Sequence, residues 1–183
     1  MVSQFVSPHA VPLLGKINFT FPEGTHPIGR LDKDSEGLLL LTTDKKITRL
    51  IFSGTKPHKR TYLVMVKNKM TDGAFELLSK GIKIKIENGD TYLARPEQLL
   101  RVSNSVILYP WAADDREVYP HTWLLITLTE GKYRQVRKMV LATGHRCLRL
   151  IRLSIESITI DGIPPGEVKE LDGETFYRLA GIN

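Results

Sequence analysis

Seven chain breakers fall within the first 30 residues: Pro8, Pro12, Gly15, Pro22, Gly24, Pro27 and Gly29. Proline fixes φ and removes a backbone donor, and glycine weakens any regular element, so no long helix can form there. The segment is predicted to run as short strands and loops. Further along, the short run Glu36-Gly37-Leu38-Leu39-Leu40-Leu41-Thr42 lies between a charged turn and a capping residue and reads as one strand buried on both faces. Thr43 or Asp44 can cap a following helix, in which Ile47, Leu50 and Ile51 fall at i, i+3 and i+4.

Period-two alternation governs much of the rest. Arg60 to Val66 alternates Tyr62, Val64 and Val66 against Leu63 and Met65, which predicts a strand. Thr71 then precedes Phe75, Leu77, Leu78 and the stop at Gly81, the pattern of a short capped helix. Ile82, Ile84 and Ile86 run into Asn88-Gly89 with Thr91 to Ala94 beyond, a hairpin signature. Ser105 to Tyr109 and Thr122 to Thr129 read as strands flanking an irregular segment, Pro110 to His121. Gly131 opens a predicted helix ending near Gly144, with Arg134, Arg137 and Lys138 on one face and Val136, Met139 and Val140 inward. Leu148 to Ile155 is the last clear strand. No internal repeat or low-complexity tract interrupts this order, so the pattern is that of one α+β unit.

Charge is distributed less evenly than structure. Lys and Arg total 26 against 20 acids, a net +6. Seven of those cations, Lys132, Arg134, Arg137, Lys138, Arg146, Arg149 and Arg152, lie in residues 131–155, which contain no Asp or Glu. The remainder of the chain, with 19 basic and 20 acidic residues, is net −1. A concentrated patch of this kind points to a polyanionic partner. The lone Cys147 sits in an apolar run, cannot form an internal disulfide and is expected to be a buried thiol, which fits the cytoplasm. No window approaches the roughly 18 apolar residues that suggest a membrane span, and no signal-peptide pattern opens the chain.

Three segments carry candidate chemistry. Gly29 to Gly37 places Asp32, Asp34 and Glu36 two apart before a glycine. A calcium loop fails there, because the twelfth position is Thr43 and four leucines fill the later ligand positions; a solvated polar turn and a reactive carboxylate both stay open. Glu130 to Lys138 can bring backbone N–H groups and cations to bear on a phosphate, or form an amphipathic surface helix. Tyr62, beside Lys59 and Arg60, can pack in a core or line a site. No H-E-x-x-H or Cys/His spacing suggests zinc, and neither a P-loop nor a dinucleotide fingerprint is present.

Taken together, Gly29-Arg30-Leu31-Asp32, Ser35-Glu36-Gly37-Leu38-Leu39, Lys59-Arg60-Thr61-Tyr62 and Glu130-Gly131 with Arg134-Gln135-Val136-Arg137-Lys138-Met139 resemble the RsuA-type family of pseudouridine synthases. Order and spacing match from about Ile28 to Leu153. Val2-Ser3-Gln4-Phe5 and the Trp/Pro-rich insert ending Pro120-His121-Thr122-Trp123-Leu124 add a likeness to the RluE-like members, which modify large-subunit ribosomal RNA. The resemblance implies an α+β catalytic fold with a mixed, mostly antiparallel central sheet flanked by short helices and loops. It implies one catalytic domain of two lobes over residues 1–183, with no separate N-terminal RNA-binding domain. Relatives carry a Lys-Pro-containing strand and loop before the position of Met1, which implies truncation at the N-terminus.

By the same resemblance Asp32 is the catalytic aspartate, Arg137 the guanidinium that pairs with it, and Tyr62 the tyrosine that stacks on the target uracil. Val136 is expected to pack against the uracil's other side, and Arg30 to enter the RNA stack where the flipped base was. Arg134, Lys138, Lys59 and Arg60, with the basic stretch 131–155, are expected to bind RNA. The implied protein is a cytoplasmic monomer acting on RNA, ribosomal RNA foremost, without cofactor, nucleotide, metal or membrane. Three alternatives stand beside it: a non-catalytic RNA-binding or ribosome-assembly protein, a synthase acting on transfer RNA, and a glycosidase, which needs two placed carboxylates.

Overall fold

Residues 1–30 hold no long helix, as the breakers require, only a 3-10 turn and one two-residue strand. The computed structural model describes residues 1–53, 57–103, 110 and 115–182. In chain order its elements are β1 (His26–Pro27), β2 (Glu36–Gly37), β3 (Leu41–Thr42), α1 (Lys45–Ser53), β4 (Arg60–Lys67), α2 (Asp72–Lys80), β5 (Ile82–Lys85), β6 (Thr91–Ala94), β7 (Gln98–Val102), β8 (His121–Leu128), α3 (Gln135–Ala142), β9 (Cys147–Ile155), β10 (Ile158–Thr159) and α4 (Gly173–Ala180), with 3-10 turns at Leu14–Lys16 and Asp115–Val118. Among the described residues the architecture is mixed α and β, with a mainly antiparallel sheet and four α-helices. The chain divides into two units, residues 1–58 with 152–183 and residues 59–151.

In the unit of residues 59–151 the sheet runs β9-β4-β8-β7. β4 and β8 are antiparallel in unbroken register from Arg60↔Leu128 to Lys67↔His121. Residues two apart on a strand share a face, so Tyr62, Val64 and Val66 line one side with Ile126 and Leu124. There they join a core cluster with Leu78 of α2, Ile82 and Ile84 of β5, and Val136, Met139 and Val140 of α3. Leu63, Met65 and Trp123 fill the opposite face and are buried as well. α2 has the predicted cap, the Ala74 amide donating to Thr71 Oγ1 at 3.2 Å, and ends at Gly81 with φ 101°. The hairpin β5-β6 forms as the alternation predicts. The expected strand Ser105 to Tyr109 lies outside the described residues. Alternation did not announce β7, which pairs with β8 from Gln98↔Thr127 to Val102↔Trp123.

The helix expected from Gly131 begins only at Gln135. Arg134 has φ 52° and ψ 32°, a left-handed conformation that an α-helix cannot include. It therefore precedes the helix instead of lying on its face. Side chains tie the turn before it. The Lys132 amide donates to Gln135 Oε1 at 2.9 Å, Gln135 Nε2 donates to one oxygen of Glu130, and the Tyr92 hydroxyl donates to the other. Lys132 Nζ stands 5.3 Å from the Tyr92 ring centroid, within cation–π range. The hairpin thus fixes the start of α3. Donation to the Glu130 carboxylate, with burial adding to it, pushes the Tyr92 phenol up to about 12.

In the unit of residues 1–58 and 152–183, the leucine run does not form one strand. β2 pairs with β9, and the Leu38 amide donates to the Arg152 carbonyl at 2.7 Å. Two residues later the run changes partner: the Ile28 amide donates to the Leu40 carbonyl at 2.8 Å, and β3 pairs with β1. Leu38 and Leu40 are buried while Leu39 and Leu41 are only half-buried, so a single inward face replaces the expected two. Asp44 caps α1 by accepting from the Lys46 amide at 2.8 Å. Ile47 and Ile51 are buried, but Leu50 is 40% exposed and does not belong to the inner stripe. β10 folds back on β9 through Ile158↔Ile155. α4, which periodicity did not reveal, is capped by Asp172 and stopped by Gly181 at φ 64°.

Two substitutions in glycine separate a tight site from an open one. A Cβ on Gly37, whose φ is 100°, would stand 2.3 Å from the Arg152 carbonyl oxygen, which is backbone and cannot yield cheaply. Gly37→Ala is expected to lower unfolding stability by about 3 kcal/mol, whereas Gly73→Ala, in α2 with nothing within 4 Å, raises it by about 0.5 kcal/mol; urea titrations measure both. Tyr92 gives a pH signature. Its pKa is raised in the folded state, so its contribution is fully present below the ordinary phenol range and is lost as pH climbs to about 12. Tyr92→Phe is therefore expected to be less stable than the parent chain at pH 8, and the gap should close between pH 10 and 12.

Candidate active site

Asp32 belongs to the first of the two units and sits, half-buried, at the start of a turn in which the Ser35 amide donates to its carbonyl at 2.9 Å. Before it, the chain leaves the fully buried Ile28 through Gly29 at φ 72° and presents Arg30 to solvent. The loop is held at both ends. At Leu31 the backbone N–H donates to Ser3 Oγ at 3.0 Å, and the same hydroxyl donates to the Leu31 carbonyl at 3.1 Å. At Leu38 the carbonyl accepts from Arg152 Nε at 2.8 Å while the amide donates to the Arg152 carbonyl. Arg30 and Asp32 thus share one short loop whose two ends are tied to other parts of the same unit.

The second unit carries Tyr62, Arg137 and the remaining site residues. Tyr62, opposite Ile126 on β8, is half-buried and packs against the core cluster that contains Val136. Val136 is 4% exposed on the first turn of α3. The two residues expected to bracket a uracil therefore adjoin one apolar cluster. Arg137 and Lys138 follow on α3, both half-buried, with Lys138 Nζ 5.3 Å from the Tyr133 ring centroid. Lys59 is exposed and ion-paired with Glu97. A packed apolar floor beside cations is suited to holding a flat base whose phosphates stay in water.

The basic surface is smaller than the sequence suggested. Arg152 is 4% exposed, and its guanidinium serves the Leu38 carbonyl, so it cannot belong to an open RNA-binding stretch. Arg60 is 5% exposed at the start of β4, where its guanidinium lies 3.9 Å from the position a Cβ would take on Gly131. It is an interior cation and not a surface companion of Lys59. Lys132 and Arg146 are exposed, and Arg134 and Arg149 half-buried. Cys147 is half-buried, its thiol donating to the Arg149 carbonyl at 3.4 Å, rather than sealed in the core.

Sequence reasoning missed the residues that hold the site rather than compose it. Ser3 appeared only as part of a likeness, and Gln135 and Glu130 only as letters in a motif. The one available signal was Gly37, since a glycine inside a leucine run marks a bend or a close backbone approach. Among the described residues, no cluster of three or more His, Cys, Asp or Glu side chains could hold a metal ion, and no helix is long and apolar enough to cross a membrane.

Comparison with known proteins gives the chain its family. Ribosomal large subunit pseudouridine synthase E of Vibrio vulnificus (strain CMCP6) is 36% identical over 147 residues, 78% of this chain and 59% of that protein. The protein of the same name from Xanthomonas campestris pv. campestris is 31% identical over 169 residues, covering 91% of this chain and 88% of its own. Ribosomal small subunit pseudouridine synthase A of Escherichia coli (strain K12) is 32% identical over 155 residues, 84% of this chain and 58% of that one. The chain thus spans about three fifths of the Vibrio and Escherichia proteins. A crystal structure described as a pseudouridylate synthase shares the fold, with a TM-score of 0.72 at 24% identity, over 92% of this chain and 65% of that one. A family model described as RNA pseudouridylate synthase matches residues 13–142, the span that holds Asp32, Tyr62 and Arg137, and the chain belongs to that family.

Proposed function

We propose that this protein converts a specific uridine of RNA to pseudouridine, with large-subunit ribosomal RNA as its substrate in the cytoplasm. What carries the reading is the 31% identity to a large-subunit synthase across 91% of this chain and 88% of the relative. The conversion breaks the N1–C1′ glycosidic bond, turns the uracil and joins C5 to C1′. A proton leaves C5 and N1 ends protonated, so the formula is unchanged and no electrons are transferred.

Asp32 acts on the sugar, either by adding to C1′ or by removing a C2′ proton to give a glycal; both routes need its carboxylate ionised and close to the ribose. Arg137 is assigned as the guanidinium partner of that carboxylate. Tyr62 stacks on the uracil, with Val136 against the ring's other side. Stacking is the main role of Tyr62, with removal of the C5 proton a secondary one. Arg30, exposed on the Asp32 loop, is suited to occupy the gap left by the flipped base and offset part of the few kcal/mol that flipping costs. Lys59, Lys132, Arg134, Lys138 and Arg146 supply the contacts to the phosphate backbone.

Asp32→Asn is expected to fold normally, to retain RNA affinity within about twofold and to form no detectable pseudouridine when ribosomal RNA is mapped from complemented deletion cells. Full modification by that variant removes Asp32 from the catalytic role, whereas ribosomal and transfer-RNA maps unchanged by loss of the gene, with RNA binding that depends on Arg134 and Arg137, identify a non-catalytic RNA-binding protein. Loss of a transfer-RNA site with an unchanged ribosomal map moves the substrate. Release of free uracil identifies a glycosidase.

A further inference from the structure

We propose that Ser3 is the positioning residue for Asp32, an assignment that rests on the synthase reading and goes one step beyond it. A carboxylate that must meet one sugar carbon has to be held by its backbone, and Asp32 lies in a turn rather than a helix or strand. Ser3 replaces the missing ladder. Its hydroxyl accepts from the Leu31 N–H at 3.0 Å and donates to the Leu31 carbonyl at 3.1 Å, so one side chain satisfies both backbone polar groups of the residue preceding Asp32. A neighbouring strand would do the same with two backbone groups.

The anchor itself is firm. Ser3 is 7% exposed. Its neighbours are tied on either side, the Val2 amide to the Pro12 carbonyl at 2.9 Å and the Gln4 carbonyl to the Leu14 amide at 3.0 Å, and Leu14 is buried. Rigidity passes from that small core through Ser3 Oγ to Leu31. On the other side of the aspartate, its own carbonyl accepts from the Ser35 amide at 2.9 Å. The backbone on both sides of the carboxylate is bracketed in this way. Removing the hydroxyl leaves both Leu31 groups to be satisfied by water or by a shifted loop, and displacement of about 1 Å at a reacting group can cost roughly 100-fold in rate.

The side chain chemistry makes the requirement testable. Serine and threonine offer a donor and an acceptor on one atom, alanine neither, and cysteine only weak versions of both. The experiment measures steady-state kcat and KM on large-subunit ribosomal RNA purified from cells lacking the gene. Ser3→Ala is expected to lower kcat by about 10- to 100-fold with KM within twofold of the parent, because the loop positions the reacting group and not the RNA. Ser3→Thr, which keeps the hydroxyl, should recover kcat to within threefold. If Ser3→Ala proves too unstable to assay, Ser3→Cys, of similar volume, must show the same loss of kcat. An active parent chain together with an equally active Ser3→Ala or Ser3→Cys overturns the assignment alone, as does a loss that Ser3→Thr shares. A parent chain that forms no pseudouridine overturns the synthase reading and takes this assignment with it.

Discussion

The backbone contact between residues 37–38 and Arg152 is the constraint on which the Asp32 unit depends. It brings two chain segments closer than any side chain on residue 37 would permit, and from there one strand end faces β9 while the next two residues turn to β1. The polar turn before it can then leave and return within a fixed span. The same contact employs the Arg152 side chain, which closes a second bond to Leu38. A buried guanidinium is costly to desolvate, and a hydrogen bond from a charged donor is among the stronger kinds. Local structure, packing and electrostatics therefore meet at one place, and what they fix there is a loop.

The other unit solves a different problem by different means. Its strand β4 is covered on both faces, so Tyr62 is carried by a rigid element and needs no dedicated anchor. The start of α3 has no such support, since the turn before it contains a left-handed arginine. Side chains supply it: Glu130 gathers the Tyr92 hydroxyl and the Gln135 amide, and Gln135 in turn receives the Lys132 amide. A carboxylate accepting two donors from separate elements clamps those elements together. Site residues on strands and helices need packing, whereas site residues at turns need hydrogen bonds. The two units illustrate each case.

Much of this fold was legible before any coordinates, because alternation and capping are local signals. The strands β4, β8 and β9, the hairpin β5-β6 and the caps of α1 and α2 all follow from neighbours within a few residues. The failures share a cause. Leu38 to Leu41 read as one doubly buried strand because periodicity cannot see a change of partner, and the exposed Leu50 was assigned inward because three apolar residues at helical spacing do not say how wide the buried stripe is. α3 started late because a left-handed arginine carries no compositional mark. α4 went unread although Asp172 and Gly181 bound it, since eight residues give little periodicity to detect. A family likeness picks out the segments around Asp32, Tyr62 and Arg137, but not the groups that hold those segments in place. Ser3 is 28 residues away from its partner and Arg152 is 114 from its own. Contacts of that span leave no local signal in a single sequence.

The same distinction bears on charge. A net +6 concentrated in one stretch predicts attraction to a polyanion, and long-range attraction depends on how many cations face solvent. Placement of a reacting group depends on cations that do not. Arg60 and Arg152 count in the net charge like Arg30 or Arg146, yet burial keeps their guanidinium groups from direct contact with a polyanion. Counting residues overstates the charge that faces solvent and understates what the interior holds. Among the described residues, Arg60 and Arg152 are the arginines given over to the interior.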